Sequence, residues 1–132
     1  MRLAISSLLV EEMRRAATAS PDAEICGLLL GRGAVVETVL PCVNVATDRR
    51  IAFEIDPAAL IAAHRAARQN GPALIGHYHS HPTGHAVPSA CDAAAAEPGL
   101  YWIIVGDGEA RCWLAADGGR FVPVDMVEAH NR

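Results

Sequence analysis

The sequence predicts a single α/β domain in which helices pack against a mixed central β-sheet. Short apolar segments typical of strands and longer helical segments follow one another without strict alternation, which favours a mixed sheet. The chain has 132 residues, of which 52% are hydrophobic and 20% are charged. This length and this composition are typical of one folded domain spanning residues 1–132, and they exclude a disordered chain.

Helix start signals fix most of the predicted boundaries. Ser7 is expected to cap the first helix, and Asp56 followed by Pro57 predicts the second, because Asp is a favoured N-cap and Pro is tolerated at the first helical position. The predicted order is a helix over 7–19, strands over 24–30 and 34–40 with a possible extension over 41–45, a strand over 51–55, a helix over 57–69, a strand over 73–79, a short helix from 89 to about 98, and strands over 100–105, 109–115 and 121–127.

Charge and composition exclude several classes of partner. The net charge is −4, and all 11 basic residues are Arg, so the basic surface typical of nucleic-acid binding is absent. No apolar run approaches the roughly 20 residues of a membrane-spanning helix. Residues 1–10 resemble a signal peptide only faintly, because the apolar stretch ends at Glu11 with no cleavage site. The four scattered cysteines form no Cys-x-x-Cys pair, which is typical of reduced thiols and predicts a cytoplasmic protein.

The segment from residue 76 to residue 92 carries the candidate chemistry. His79 and His81 are two residues apart on a predicted strand, so both imidazoles point to the same face, about 7 Å apart along the backbone. If Ser89 caps the next helix, Asp92 is its third residue, where the helix N-terminus favours a carboxylate. Two imidazoles and one carboxylate, with a fourth position left open, form the ligand set of a catalytic zinc.

Each part of this pattern also has an ordinary explanation. A His-x-His pair often arises by chance, and an Asp in the first turn of a helix often serves only the helix dipole. Composition and spacing alone therefore leave both a metal site and a coincidence open.

The order and spacing of these residues resemble a known family. His79 and His81, seven further residues, and then Ser89-x-x-Asp92, with Glu24 upstream in Pro-Asp-Ala-Glu-Ile-Cys-Gly, are similar to the five-position motif of the JAMM (MPN-plus) zinc metalloproteases. The chain most resembles stand-alone bacterial members, including those that release cysteine from a sulfur-carrier protein. The resemblance implies the JAMM/MPN fold, which is cytidine-deaminase-like, with a mixed central sheet flanked by helices.

The resemblance also implies a role for each motif residue. His79, His81 and Asp92 would bind one zinc ion per chain, Glu24 would be the general acid and base, and Ser89 would help to hold the oxyanion. This assignment agrees with the chemistry of amide hydrolysis, because zinc activates water and polarises a carbonyl, and a nearby carboxylate can move the proton to the leaving amine.

Other residues near the motif have open roles. His77 has the same strand parity as the motif histidines, so it is either a rival ligand or, as we expect, a residue packed beside the site. His85, in the loop that follows, either faces solvent or contacts substrate. Cys91 precedes the motif carboxylate and is not expected to bind zinc, and Cys26 is expected in the core.

By resemblance, the partner is a ubiquitin-like or sulfur-carrier β-grasp protein with a C-terminal Gly-Gly. The scissile bond would join this tail to a Lys side chain, to free cysteine or to a C-terminal extension, and the sequence does not choose among these or give an oligomeric state. A cell-wall peptide or general amide hydrolase and a non-catalytic binding module remain alternatives. A nucleobase deaminase is excluded, because it requires His-x-Glu and Pro-Cys-x-x-Cys.

Overall fold

A computed structural model describes residues 1–129 of the chain. Within this range it has seven strands, three α-helices and one 3₁₀ turn. In chain order these are β1 (Arg2–Ile5), α1 (Ser7–Thr18), β2 (Cys26–Arg32), β3 (Val35–Cys42), α2 (Pro57–Arg68), β4 (Ala73–Ser80), α3 (Ala90–Ala95), β5 (Tyr101–Gly106), β6 (Glu109–Ala116), the 3₁₀ turn (Asp117–Gly119) and β7 (Arg120–Glu128). None of these helices has the length and hydrophobicity needed to cross a membrane.

The strands form one mixed sheet that closes on itself in the order β1-β3-β2-β4-β5-β6-β7. Strand β1 closes it by pairing in parallel with both β3 and β7. Strands β4 and β5 are also parallel, whereas β2 pairs antiparallel with β3 and β4. The predicted mixed sheet with flanking helices is therefore confirmed, but its closure was not predicted.

Strand β1 is the element that the sequence prediction missed. Its burial alternates, with Leu3 and Ile5 at 0% and 2% exposure, as expected for a strand with one face in the core. Four residues give too short a pattern to indicate a strand, and its main partner is β7, where Arg2 lies opposite Asp125. The strand depends on pairing across more than 120 positions of the chain.

The predicted strand over 51–55 is wrong. This segment is a loop whose link to ladder pairing is a single bridge between Asn44 and Ile55. The Ile51 and Ala52 N–H groups donate to the Asp48 carbonyl, and the Glu54 N–H donates to the Asn44 side chain. Ile51 is 61% exposed, so the alternation of residues 51–55 does not mark a buried strand face.

Several boundaries also shift. Ser6 caps α1 in place of Ser7, and α3 ends at Ala95 rather than near 98. The strand predicted from residue 24 begins at Cys26, and the possible extension over 41–45 ends at Cys42.

Two apolar clusters lie on opposite faces of β4. The first includes Tyr78 and packs against α1, and the second lies beneath α2. The buried members of the second cluster are Cys26, Leu28, Ile55 and Ala63. Because successive residues of a strand point to opposite faces, the odd-numbered histidines of β4 lie on the face away from Tyr78. Gly27 permits the close pairing of β2 with β4, since a Cβ there would lie 2.3 Å from the Tyr78 ring.

Candidate metal centre

The register between β2 and β4 brings Glu24 beside the two motif histidines. Cys26 lies directly opposite His79 in the antiparallel pair. The pairing continues past the end of β2, because the Ser80 N–H donates to the Ile25 carbonyl at 3.1 Å and the Ile25 N–H donates to Ser80 Oγ at 2.9 Å. Continuing this antiparallel register by two residues from the Cys26–His79 pair places Glu24 opposite His81.

The imidazoles of His79 and His81 converge on the carboxylate of Asp92, as the spacing predicts. The two Nε2 atoms lie 3.1 Å apart. His79 Nε2 lies 3.1 Å from Asp92 Oδ1, and His81 Nε2 lies 3.1 Å from Asp92 Oδ2. His79 is fully buried, and Asp92 is 4% exposed. Three groups of the type that binds metal thus meet at one buried point.

A capping box at the start of α3 holds Asp92. Ser89 is the N-cap, as predicted, and its Oγ accepts from the Asp92 N–H at 3.1 Å, while the Ser89 N–H donates to Asp92 Oδ2 at 2.9 Å. Burial acts to raise the pKa of Asp92, but hydrogen bonds from His79 and His81 outweigh it and hold this pKa below its usual range. Asp92 is therefore an anion. The Ser89 hydroxyl uses an oxygen lone pair in the cap, so its proton remains available to a substrate.

Contacts of the two rings define how each histidine is held. His81 Nδ1 lies 2.8 Å from the His85 carbonyl, which can only accept, so Nδ1 carries a proton. Nε2 is left to face Asp92, to which it donates in the metal-free protein, and it could bind a metal once it loses its proton. The His79 ring stacks on Phe53 at 4.3 Å and meets Trp102 edge-on at 5.4 Å. Burial, opposed by Asp92, lowers the pKa of His79. Burial is the strongest single effect on the pKa of His81 and acts to lower it, but hydrogen bonds to Asp92 and to the His85 carbonyl, together with the nearby carboxylate charges, raise this pKa overall.

Glu24 presents a buried carboxyl group without a fixed partner. It is 5% exposed, and its Oε1 has no hydrogen-bond partner within residues 1–129. Burial raises the pKa of Glu24 to about 7, an effect that His81 opposes and Asp92 reinforces. One ligand atom each from Glu24, His79 and His81 lie within 4.8 Å of one another. A carboxyl group that titrates near neutrality thus lies next to the converging imidazoles.

The donor set of His79, His81 and Asp92 fits a zinc ion. Two nitrogens bound at 2.0–2.1 Å to one tetrahedral zinc are about 3.3 Å apart, close to the 3.1 Å between the two Nε2 atoms. Two imidazoles and a carboxylate are also the ligand types of catalytic zinc. A cavity of about 580 Å³ between α1 and the turn after β5 has His81 and Pro82 in its lining.

The residues with open roles fall outside the ligand cluster. His77 packs beside the site, with its ring 5.2 Å from Trp102, and burial, reinforced by His79, lowers its pKa to about 4. The His85 side chain is exposed and contacts Asp107, so its backbone rather than its imidazole contacts the centre. Cys91 is exposed on α3, and Cys26 is buried in the second apolar cluster, as expected.

Sequence reasoning missed two residues that surround the site, Asn44 and Phe53. Phe53 lies in the segment that was predicted as a strand, and its alternation with Ile51 and Ile55 gave no sign that it would stack on a histidine. Asn44 gave no signal that placed it beside Glu24, because its bond with the Ala46 N–H is a local turn contact, whereas the Glu24 carbonyl that it also binds lies 20 residues earlier.

Comparison with known proteins supplies a family and relatives. Residues 6–116 match the model of the prokaryotic homologs of the JAB domain. A desampylase of Haloferax volcanii is 36% identical over 99 residues, which cover 73% of this chain and 71% of the relative. A probable TtuB-protein conjugate cleaving protease of Thermus thermophilus is 36% identical over 110 residues, 83% of this chain and 74% of the relative.

A solved JAB1/MPN domain protein of Archaeoglobus fulgidus has the same fold. It superposes with a TM-score of 0.62 at 22% identity, over 96% of this chain and 98% of that protein. The match to the family model and this shared fold confirm the resemblance that the motif indicated.

Proposed function

The chain belongs to the family of prokaryotic homologs of the JAB domain, and from that premise we propose that it is a zinc-dependent peptidase or isopeptidase. It hydrolyses the amide bond after the C-terminal Gly-Gly of a ubiquitin-like or sulfur-carrier β-grasp protein. The observation that carries this proposal is the meeting of two imidazole nitrogens and an anionic carboxylate beside a second carboxyl group that titrates near neutrality.

The names of two relatives support this class of substrate. One is a desampylase, and the other is a probable protease that cleaves TtuB-protein conjugates. Both are 36% identical to this chain over most of their length. We extend to this chain the cleavage of a conjugate formed by a small protein.

Each residue of the centre has a defined task in this reaction. His79, His81 and Asp92 would hold the zinc, which when bound would supply the Lewis acidity that activates water and polarises the scissile carbonyl. Glu24 accepts the proton of the attacking water and passes it to the leaving amine, a task suited to a carboxyl group with a pKa of about 7. Ser89 donates its hydroxyl proton to the oxyanion while its oxygen caps α3.

A protein tail suits this site better than a compact small molecule. The loop over residues 83–87 offers small and apolar side chains together with His85, and no cluster of charges that would clamp a small ligand. Two glycines have no side chains to clash near the centre, but they bury little apolar surface and lose much conformational entropy on ordering. The affinity must then come from the folded body that carries the tail.

We propose that the protein acts in the cytoplasm. Residues 1–132 would form one catalytic domain. All four cysteines are free, and Cys26 and Cys42 remain unbridged although they lie directly opposite each other on β2 and β3. Unbridged thiols in facing positions are typical of proteins in a reducing compartment.

The test compares a whole substrate with its own tail. A β-grasp carrier protein whose terminal Gly-Gly is joined to a fluorogenic aminocoumarin is assayed beside a short peptide that ends in the same residues and the same dye. We expect zinc-dependent release of the dye from the carrier, with a far larger kcat/KM than for the peptide. Similar values for both would contradict the carrier-protein proposal and favour a cell-wall peptidase or general amide hydrolase, and no turnover of either would favour a binding module.

A further inference from the structure

Asn44 is a buried amide that forms four hydrogen bonds through its side chain. It lies two residues after β3 and is 9% exposed. Its Nδ2 donates to the carbonyls of Glu24 and Ala52, each at 3.0 Å. Its Oδ1 accepts from the N–H groups of Ala46 at 3.0 Å and Glu54 at 3.1 Å. An amide side chain has two donor hydrogens and two acceptor lone pairs, so every bond it can form is made.

These bonds tie the backbone of Glu24 to the loop over residues 44–55. Glu24 precedes β2, so the regular ladder does not hold its polar backbone groups. Its carbonyl accepts from Asn44, and its N–H donates to the Arg49 carbonyl at 2.6 Å. Both backbone groups of Glu24 are therefore bound by this one loop.

The side chain of Glu24 depends on this backbone anchor for its position. Its Oε1 has no partner in the described part of the chain, so the carboxyl group is not fixed by a hydrogen bond at that oxygen. The same loop also supports His79, because Asn44 bonds the residues on both sides of Phe53, whose ring stacks on the His79 imidazole.

We propose that Asn44 is a positioning residue for hydrolysis, which holds the Glu24 backbone and the Phe53 ring so that the Glu24 carboxyl group stays beside the metal centre. This inference rests on the proposed function, because it assigns Asn44 a task only in a reaction that Glu24 performs. Asn44 itself acts through Glu24 and does not touch the reacting atoms.

The two halves of the amide allow a sharp substitution series. Asn44→Ala removes all four bonds. Asn44→Asp keeps the acceptor oxygen that serves Ala46 and Glu54 but loses both donor hydrogens, including the one on the Glu24 carbonyl. Asn70→Gly is the matched control, because it removes an amide from an exposed turn where the backbone φ of +69° suits glycine.

The expected result is a loss in kcat with little change in KM or zinc content. A displaced catalytic group costs about 100-fold for a shift of about 1 Å, so we expect kcat to fall by roughly 10–100-fold in Asn44→Ala and Asn44→Asp, and to remain at the wild-type value in Asn70→Gly. In the metal-free protein, hydrogen exchange at the Glu24 amide should accelerate in both Asn44 variants.

A double-mutant cycle with Glu24→Gln separates positioning from a merely structural role. If Asn44 acts through Glu24, then Asn44→Ala has almost no further effect on kcat once Glu24 is already Gln. Equal effects of Asn44→Ala in both backgrounds would overturn the inference while leaving the proposed function intact. If Glu24→Gln alone left hydrolysis unchanged, the proposed function would fail at Glu24 first. Should Asn44→Ala not fold, the same cycle with Asn44→Asp decides the question.

Discussion

Asp92 and Glu24 are two carboxyl groups of one site that are almost equally exposed and that nonetheless differ in ionisation. They are 4% and 5% exposed, and burial acts to raise the pKa of both. For Asp92, hydrogen bonds from two imidazoles and one backbone N–H outweigh burial and lower the pKa. For Glu24, Oε1 finds no partner in residues 1–129, and the pKa rises to about 7.

The difference shows that hydrogen-bond partners, not depth of burial, divide the tasks of the two groups. A carboxylate with several donors stays ionised and suits a metal ligand. A carboxyl group with few partners can bind and release a proton near pH 7, which suits a general acid and base. Substituting Asp92 and Glu24 one at a time should therefore cause two distinct defects, loss of the metal for Asp92 and loss of proton transfer for Glu24.

The largest effect is expected for Asp92→Ala. This substitution removes the anion of the ligand set and one half of the α3 capping box, so the metal should be lost together with activity. Loss of an outer-shell partner alone typically costs 10–100-fold in metal affinity, and loss of a ligand should cost at least about as much. Metal analysis after equilibrium dialysis measures this. Full zinc in Asp92→Ala, with loss of zinc in His77→Ala, would overturn the ligand assignment.

Glu24→Gln should abolish most hydrolysis while the metal stays bound. The amide has the size of the carboxyl group but cannot move a proton, and proton transfer typically contributes about 10²–10⁴ in rate. Zinc content and the circular dichroism spectrum should match those of the wild type. Turnover within a few-fold of wild type would remove Glu24 from the reaction.

Glu24 should also make the metal-free protein lose stability as the pH rises. Between pH 4.5 and about 7 the unfolded chain releases the Glu24 proton while the native state keeps it, so the free energy of unfolding falls with increasing pH. Glu24→Gln lacks this loss and should gain about 3 kcal/mol relative to wild type between pH 4 and pH 8, at about 1.4 kcal/mol per pKa unit. Urea unfolding of both proteins in chelator measures the difference, and a constant difference across this range would contradict the raised pKa.

The smallest effect is expected for Cys91→Ser, one residue before Asp92. Cys91 is exposed on α3 next to Asp92, and its side chain is not part of the ligand cluster. Cys91→Ser should therefore keep the metal and the wild-type kcat/KM, and its stability should change by no more than about 0.5 kcal/mol, as is usual for surface changes. A loss of zinc in this variant would show that the start of α3, rather than the Asp92 carboxylate, decides binding.

The sequence by itself determined the relative placement of His79, His81 and Asp92. Strand parity places both imidazoles on one face, and the Ser89 cap fixes where the carboxylate stands in α3. These are local rules that act within 14 residues. The family motif added Glu24 to the set by resemblance, without indicating what would hold it there.

Only the tertiary structure decided how Glu24 comes to lie beside these three residues and which groups surround its carboxyl group. Its place beside His81 follows from the register between β2 and β4, and its anchor is an amide 20 residues away in a loop that the alternation of residues 51–55 had indicated as a strand. Strand β1, which closes the sheet, likewise exists through a partner at the other end of the chain. Pairings of this kind depend on which segments the folded chain brings together, and no local pattern of hydrophobicity or propensity encodes them.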